Sequence, residues 1–409
     1  MGGTTRREET MSKNTDAIVI ASVARTPIGA FQGAFASLAA PELGAIALRA
    51  GVERAGLAAS DIDEVLMGCV LGAGVGQAPA RQASLRAGLP LSAGCTTINK
   101  VCGSGLKAVM LGHDALVAGS ARVVAAGGME SMTNAPYLLP KARGGQRLGH
   151  DRVLDAMFFD GLEDAYGPET KGRLMGTFAE ECATAYGFTR DAQDAYAVAS
   201  ATRARAAVEG GAFDWETVQV MVETRNGAAI VERDEQPGRI DIAKIPTLKP
   251  AFREGGTVTA ANSSSISDGA AAITLMRRST AEAKGVAPLA TILGHTTYAD
   301  EPRLFPTAPI HAIRALLDKL GWEARDVDLY EINEAFAVVA MAAMRDLGLP
   351  HDKVNIGGGA CALGHPIGAS GARVLVTLIG ALRRTGARRG IASLCIGGGE
   401  AVAMGVELA

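Results

Sequence analysis

A chain of 409 residues with 48% hydrophobic and 20% charged residues has room for two or three domains around a large core, which excludes a disordered chain. Its formal net charge of −3 gives no electrostatic basis for nucleic acid, and no apolar run approaches the roughly 20 residues that cross a bilayer, so neither nucleic acid nor membrane is expected as a partner. The cysteines at 69, 95, 102, 182, 361 and 395 form no Cys-x-x-Cys pair and no zinc spacing, which predicts no metal and a reduced, cytoplasmic setting.

Residues 1–14 are polar, carry Glu8 and Glu9, and lack the acid-poor pattern of a transit peptide. Residues 17–23 read as a first buried strand, broken by Arg25–Thr26–Pro27. A helix over 41–55 starts at a proline, which suits a first helical turn. A strand falls within 61–70, a helix over 80–88, and residues 96–99 lead into Cys102. A helix over 106–116 follows, then a strand over 121–128. Strands alternating with helices predict an α/β domain with a largely parallel sheet.

The texture changes over 137–255. A basic loop at 141–147 precedes an Ala-rich helix over 180–208 and short strands within 214–239, which reads as an inserted irregular cap. The α/β pattern is expected to resume at 258–262, with a strand over 269–276. Helices over 309–320, 335–347 and 373–382 and strands over 327–332 and 391–396 fill the last third. The two ends share a pattern. Ala115–Leu116 begin 11 residues after Ser104, and Ala381–Leu382 begin 11 residues after Ser370; each run leads to a strand ending in glycines and then Glu130 or Glu400. That repeat predicts two similar halves with two helix starts facing one site.

Four clusters carry chemistry. In Asn99–Lys100–Val101–Cys102–Gly103–Ser104–Gly105 a cysteine sits before a helix start, where the macrodipole and free N–H groups favour a thiolate. A small buried cysteine in a tight turn explains that stretch equally well. His365 lies in the glycine-rich loop Gly364–His365–Pro366–Ile367–Gly368, and Cys395 at a strand end before Gly397–Gly398–Gly399. Asn333 lies between a strand and a helix, where a helix N-cap is its plainest role.

Together, these motifs and Gly127–Gly128–Met129–Glu130–Ser131–Met132 resemble the thiolase family, acyl-CoA acyltransferases that make or cleave 3-oxoacyl-CoA. The resemblance runs from about residue 17 to the end. It implies a five-layered α-β-α-β-α fold of two similar halves: 12–132 with 256–285 carrying Cys102, and 286–409 carrying Asn333, His365 and Cys395. Residues 133–255 become an inserted cap for CoA binding and oligomer contacts. Cys102 is implied as the nucleophile, His365 as the group that takes its proton, and Cys395 as the general acid/base at the α-carbon. Asn333 is implied to hold a water in an enolate oxyanion hole, and the backbone N–H groups of Cys102 and Gly397 to form a second hole. These roles match the needs of thioester condensation: a soft nucleophile, a base and oxyanion donors.

Substrate contacts are implied at Ser264, Met175 and Phe305. Leu174 stands where short-chain biosynthetic members often carry a histidine, Phe305 where many have methionine, Cys361 where an aliphatic residue is usual, and Glu400 where an apolar one is common. The expected substrates are CoA thioesters, with no permanently bound cofactor, and acetoacetyl-CoA thiolysis or its reverse is the leading activity. The alternatives are a longer-chain degradative thiolase, a decarboxylating 3-oxoacyl synthase, and an inactive CoA- or lipid-binding module. A homodimer or homotetramer is implied, with a tetramer contact sought at 141–149.

Overall fold

The computed structural model describes residues 16–225 and 227–409, so the reading of residues 1–14 lies outside the described residues. In chain order the main elements are β1 (Ile18–Arg25), α1 (Ala40–Arg54), β2 (Glu64–Gly68), α2 (Pro79–Arg86), β3 (Gly94–Ile98), α3 (Ser104–Ala118) and β4 (Val123–Ser131). After these come α4 (Met175–Tyr186), α5 (Arg190–Glu209), β5 (Ser267–Arg277), β6 (Ala290–Ala299), α6 (Ala308–Leu320) and β7 (Leu329–Ile332). The chain closes with α7 (Ala337–Leu347), α8 (Ser370–Thr385), β8 (Arg389–Ile396) and β9 (Glu400–Leu408).

The main strands join in the order β7-β8-β9-β6-β1-β5-β4-β2-β3. In the first half β2 runs parallel to β4, β4 antiparallel to β5, and β5 antiparallel to β1. In the second half β7, β8, β9 and β6 repeat those relations in the same order. The antiparallel pair β1–β6 joins the halves. The helix entering β4 is α3 and the helix entering β8 is α8, so Ser104 and Ser370 begin equivalent helices.

Those two helices pack on each other between the halves. Leu106, Val109 and Met110 of α3 share one core with Val374, Leu375 and Leu378 of α8. Residues 370–382 of α8 are all buried, as a helix covered on every side requires. Leu43 and Leu48 of α1 and Ala83 of α2 cover the outer face of the first half. Ile313 and Leu316 of α6 and Val338 of α7 cover the outer face of the second. The stack is therefore helix, sheet, helix, sheet, helix.

Three expectations need correction. The sheet is mixed: among the main strands only β2–β3, β2–β4 and β7–β8 are parallel. The turn Gly397–Gly398–Gly399 makes β8 and β9 a hairpin, which is antiparallel by construction, and the long excursion after β4 returns β5 antiparallel beside it. Helix 180–208 is two helices, interrupted by Gly187 at φ +64° and restarted by Thr189, whose side chain caps Ala192. Residues 258–262 are irregular, because their amides turn to side chains: Val258 N–H donates to Glu180 and Thr259 N–H to Asn262.

Candidate active site

The Cys102 loop is braced by one hydroxyl. Ser104 Oγ accepts from Lys100 N–H at 2.8 Å and donates to Val101 O at 2.6 Å. This holds Val101 at φ +44°, a left-handed conformation that a β-branched residue adopts only under constraint. The Gly103 and Ser104 N–H groups turn back to Lys100 O and Val101 O, so neither is free for the thiol. What reaches the half-buried sulfur is the N–H of Gly397 and the N–H of Cys102 itself. Burial outweighs both and pushes the thiol up to about 11. The shift therefore runs opposite to the low thiolate pKa expected from the helix start.

His365 is 5% exposed and held at both ring nitrogens. Ser370 Oγ donates to Pro366 O at 3.0 Å and lies 2.6 Å from His365 Nδ1. With its own proton committed, the hydroxyl can only accept, which assigns the proton to Nδ1 and the lone pair to Nε2. Nε2 faces the Asn333 amide nitrogen at 3.4 Å. Burial, with the charge of Arg373 adding to it, holds His365 down at about 3, so the imidazole is neutral. Asn333 follows β7, its N–H donates to Ser393 O, and it caps no helix: the N-cap of α7 is Phe336. Cys395 is 1% exposed at the end of β8. Burial, then the neighbouring Cys102, drive its thiol far above the ordinary range.

A largely apolar cavity opens onto Cys102, His365 and Gly397. Ser264, Met175 and Phe305 all line it, and Leu174 lies beside Met175 in its wall. Ser264 N–H donates to Ala335 O and His365 N–H to Ser265 O, so this serine loop is fixed to both the Asn333 and the His365 loops. Asn333 and Cys395 do not line the cavity, though each adjoins a residue that does. Sequence reasoning missed the aromatic and aliphatic wall from Phe158, Leu162, Phe252 and Phe336. No short motif marks it, since its members come from separate segments.

Sequence reasoning named Glu130 in a motif without giving it a role; its fully buried carboxylate accepts from the N–H groups of Val70, Leu71 and Gly368 at 3.0, 3.2 and 2.9 Å. Glu130 ties the turn after β2 to the His365 loop. Burial raises it to about 7 despite those donors. A glutamate at the end of an otherwise apolar strand was the available signal.

Family models for the thiolase N-terminal domain and the thiolase C-terminal domain match residues 18–279 and 286–408. The chain belongs to the thiolase family. It is 47% identical to the acetyl-CoA acetyltransferase of Cupriavidus necator over 95% of this chain and 99% of that one. Against acetyl-CoA acetyltransferase 2 of Arabidopsis thaliana it is 49% identical over 97% and 98%. The Acat5 thiolase of Ascaris suum, solved in complex with coenzyme A, superposes with a TM-score of 0.90 at 40% identity over 96% of this chain and all of that one. The acetyl-CoA acetyltransferase of Bacillus anthracis gives a TM-score of 0.93 at 39% identity, covering 96% and 99%.

One departure of this thiolase resolves simply. Cys361 is buried and its Sγ–H donates to Glu334 O at 3.6 Å, so it is held as packing. His113, Asp114 and His295 form the one cluster with metal-ligand proximity among the described residues. Asp114 Oδ1 there lies 3.1 Å from His113 Nδ1 and 2.9 Å from His295 Nε2, which is a hydrogen-bonded set away from the cavity. No described helix is long and apolar enough to cross a membrane.

Proposed function

We propose that this thiolase cleaves acetoacetyl-CoA with CoA, and condenses two acetyl-CoA in reverse, through an acyl group on Cys102. The observation that carries this reading is the convergence on the Cys102 sulfur of two backbone N–H groups, beside an imidazole whose lone pair sits on Nε2. In thiolysis Cys102 Sγ attacks the C3 carbonyl while His365 Nε2 takes its proton. A thiol near 11 and an imidazole near 3 make a standing thiolate–imidazolium pair costly, so proton transfer accompanies attack. The C2–C3 bond then breaks, and the acetyl-CoA carbanion takes a proton from Cys395, which rests as a thiol. CoA displaces the acyl group from Cys102, its thiol proton passing to the Cys395 thiolate while His365 returns its proton to the Cys102 sulfur, which restores the enzyme.

The N–H groups of Cys102 and Gly397 supply one oxyanion hole. Asn333 serves the enolate: its Oδ1 is buried with no partner among the described residues, which suits a held water. Each donor is worth about 3 kcal/mol of barrier. Ser264, Met175 and Phe305 act as substrate contacts at the cavity wall. Phe158, Leu162, Leu174 and Phe252 supply wall from within 133–255, which supports a substrate-covering role for that segment. The matched strand orders support reading 12–132 with 256–285, and 286–409, as the two halves.

We infer a homodimer or homotetramer in the cytoplasm. β3 pairs with β2 alone and leaves a sheet edge, and Tyr137, Leu139 and Leu148 expose apolar side chains around 141–149. All six thiols are unpaired, which suits a reducing compartment. The test of the activity is Cys102→Ala, with folding checked by circular dichroism. CoA-dependent loss of acetoacetyl-CoA should fall by at least about 10³-fold, and retained turnover would refute the reading.

A further inference from the structure

Glu400 stands out in the sequence as a charge where the family commonly carries an apolar residue. The structure gives it a partner: its carboxylate is ion-paired with Lys100 Nζ. Both side chains are half-buried, at 20% and 33% exposure. Lys100 lies two residues before Cys102, in the turn that Ser104 braces, and Gly103 N–H donates to Lys100 O. Glu400 opens β9, three residues after Gly397, and is registered with Ile396 across the hairpin.

The pair therefore spans two loops from different halves, each of which carries one of the N–H groups aimed at the Cys102 sulfur. Contact between these loops is otherwise steric. A Cβ on Gly103 would come within 2.4 Å of Ile396 Cδ1, so the loops sit in close van der Waals contact. Apart from the Gly397 N–H on the sulfur, no other hydrogen bond or ion pair joins 99–105 to 396–400 among the described residues. The hairpin tip is also shaped to hold one position. Gly398 and Gly399 have φ +96° and +86°, and Cβ atoms there would strike Tyr166 Oη at 2.7 Å and Asp300 O at 2.3 Å.

We propose that Lys100 and Glu400 are a positioning pair that docks the nucleophile loop on the Cys395 hairpin and so sets the separation of the Cys102 and Gly397 N–H groups. The pair touches neither the sulfur nor the cavity. It acts through the placement of two donors whose value depends on where the oxyanion forms. This rests on the oxyanion reading of those N–H groups given above.

The test compares Lys100→Met, Glu400→Met and the charge swap Lys100→Glu/Glu400→Lys, in the full-length protein. For acetoacetyl-CoA thiolysis, each single variant should lower kcat about 10–100-fold with KM within about twofold, and the swap should restore most of it. Hydrogen exchange read without any acyl-CoA should speed up in peptides covering 99–105 and 396–400 together in both single variants, and slow again in the swap. Single variants with unchanged kcat, a rise in KM in place of a fall in kcat, or a swap that restores nothing would each overturn the proposal. A wild type that leaves acetoacetyl-CoA intact, with the exchange pattern as described, would instead fault the activity reading and spare the docking.

Discussion

Ser104 and Ser370 occupy the same place in the two halves, at the start of the two central helices, and both are fully buried. Each donates to a carbonyl three or four residues back, Val101 O or Pro366 O. They differ in what they accept. Ser104 accepts a backbone N–H, from Lys100, and so stiffens the loop that presents a thiol. Ser370 accepts the Nδ1–H of His365 and so fixes a tautomer. One repeated hydroxyl thus serves geometry in the first half and proton position in the second. The duplicated fold supplies two helix starts, and a single side-chain partner at each distinguishes the loop of the proposed nucleophile from the loop of the proposed base.

Variants can break this contrast, and the largest effect is expected at the proposed base. His365→Gln should lower kcat by about 10²–10⁴-fold while Cys102 remains open to alkylation. Ser370→Ala removes the acceptor for Nδ1–H and frees the ring to change tautomer. It should lower kcat by roughly 10²-fold, short of the roughly 10⁴-fold seen where a wrong tautomer is enforced, with a shifted pH–rate profile and an unchanged KM.

The thiol offers a pH test of the same contrast. With its pKa raised to about 11, Cys102 is almost all thiol near neutrality. Its alkylation by iodoacetamide in the substrate-free protein should rise about tenfold per pH unit through pH 10, with no plateau near neutrality. A plateau below pH 8 would show that the helix start outweighs burial after all.

Ser104→Ala should act mainly on stability. It leaves the Lys100 N–H without its acceptor and should cost about 1–3 kcal/mol, read as a lower denaturation midpoint. Its kcat should fall less than that of Ser370→Ala; an equal fall with a shifted pH profile would erase the distinction between the two serines. The smallest effect is expected at the cavity wall. Phe305→Met or Leu174→His should change the ratio of kcat/KM between acetoacetyl-CoA and a longer 3-oxoacyl-CoA by about 10-fold or less for each methylene that enters or leaves contact.

The sequence reads best where chemistry is local. The Cys102, His365, Asn333 and Cys395 motifs are short, and the 11-residue match after Ser104 and Ser370 makes the duplication legible in the chain itself. It reads worst where partners are distant in the chain. Glu130 meets Gly368 across 238 residues and Lys100 meets Glu400 across 300, so no window contains either pair. Sheet direction failed for a related reason. β9 follows β8 with no helix between them and β6 follows only the six-residue helix Arg278–Ala283, and only their pairing shows that the middle of the sheet is antiparallel. The pKa of Cys102 failed because a helix start predicts free N–H groups, and here the tight turn uses up two of them.

The most direct test of the central claim, that the two loops build one acyl-transfer site on Cys102, is mass spectrometry of the intact protein and its peptides after acetyl-CoA is added without an acceptor. One acetyl group per chain is expected, on the peptide carrying Cys102, released by free CoA. Acetyl found on Cys395 or on another residue, or turnover of acetoacetyl-CoA with no label at Cys102, would contradict it.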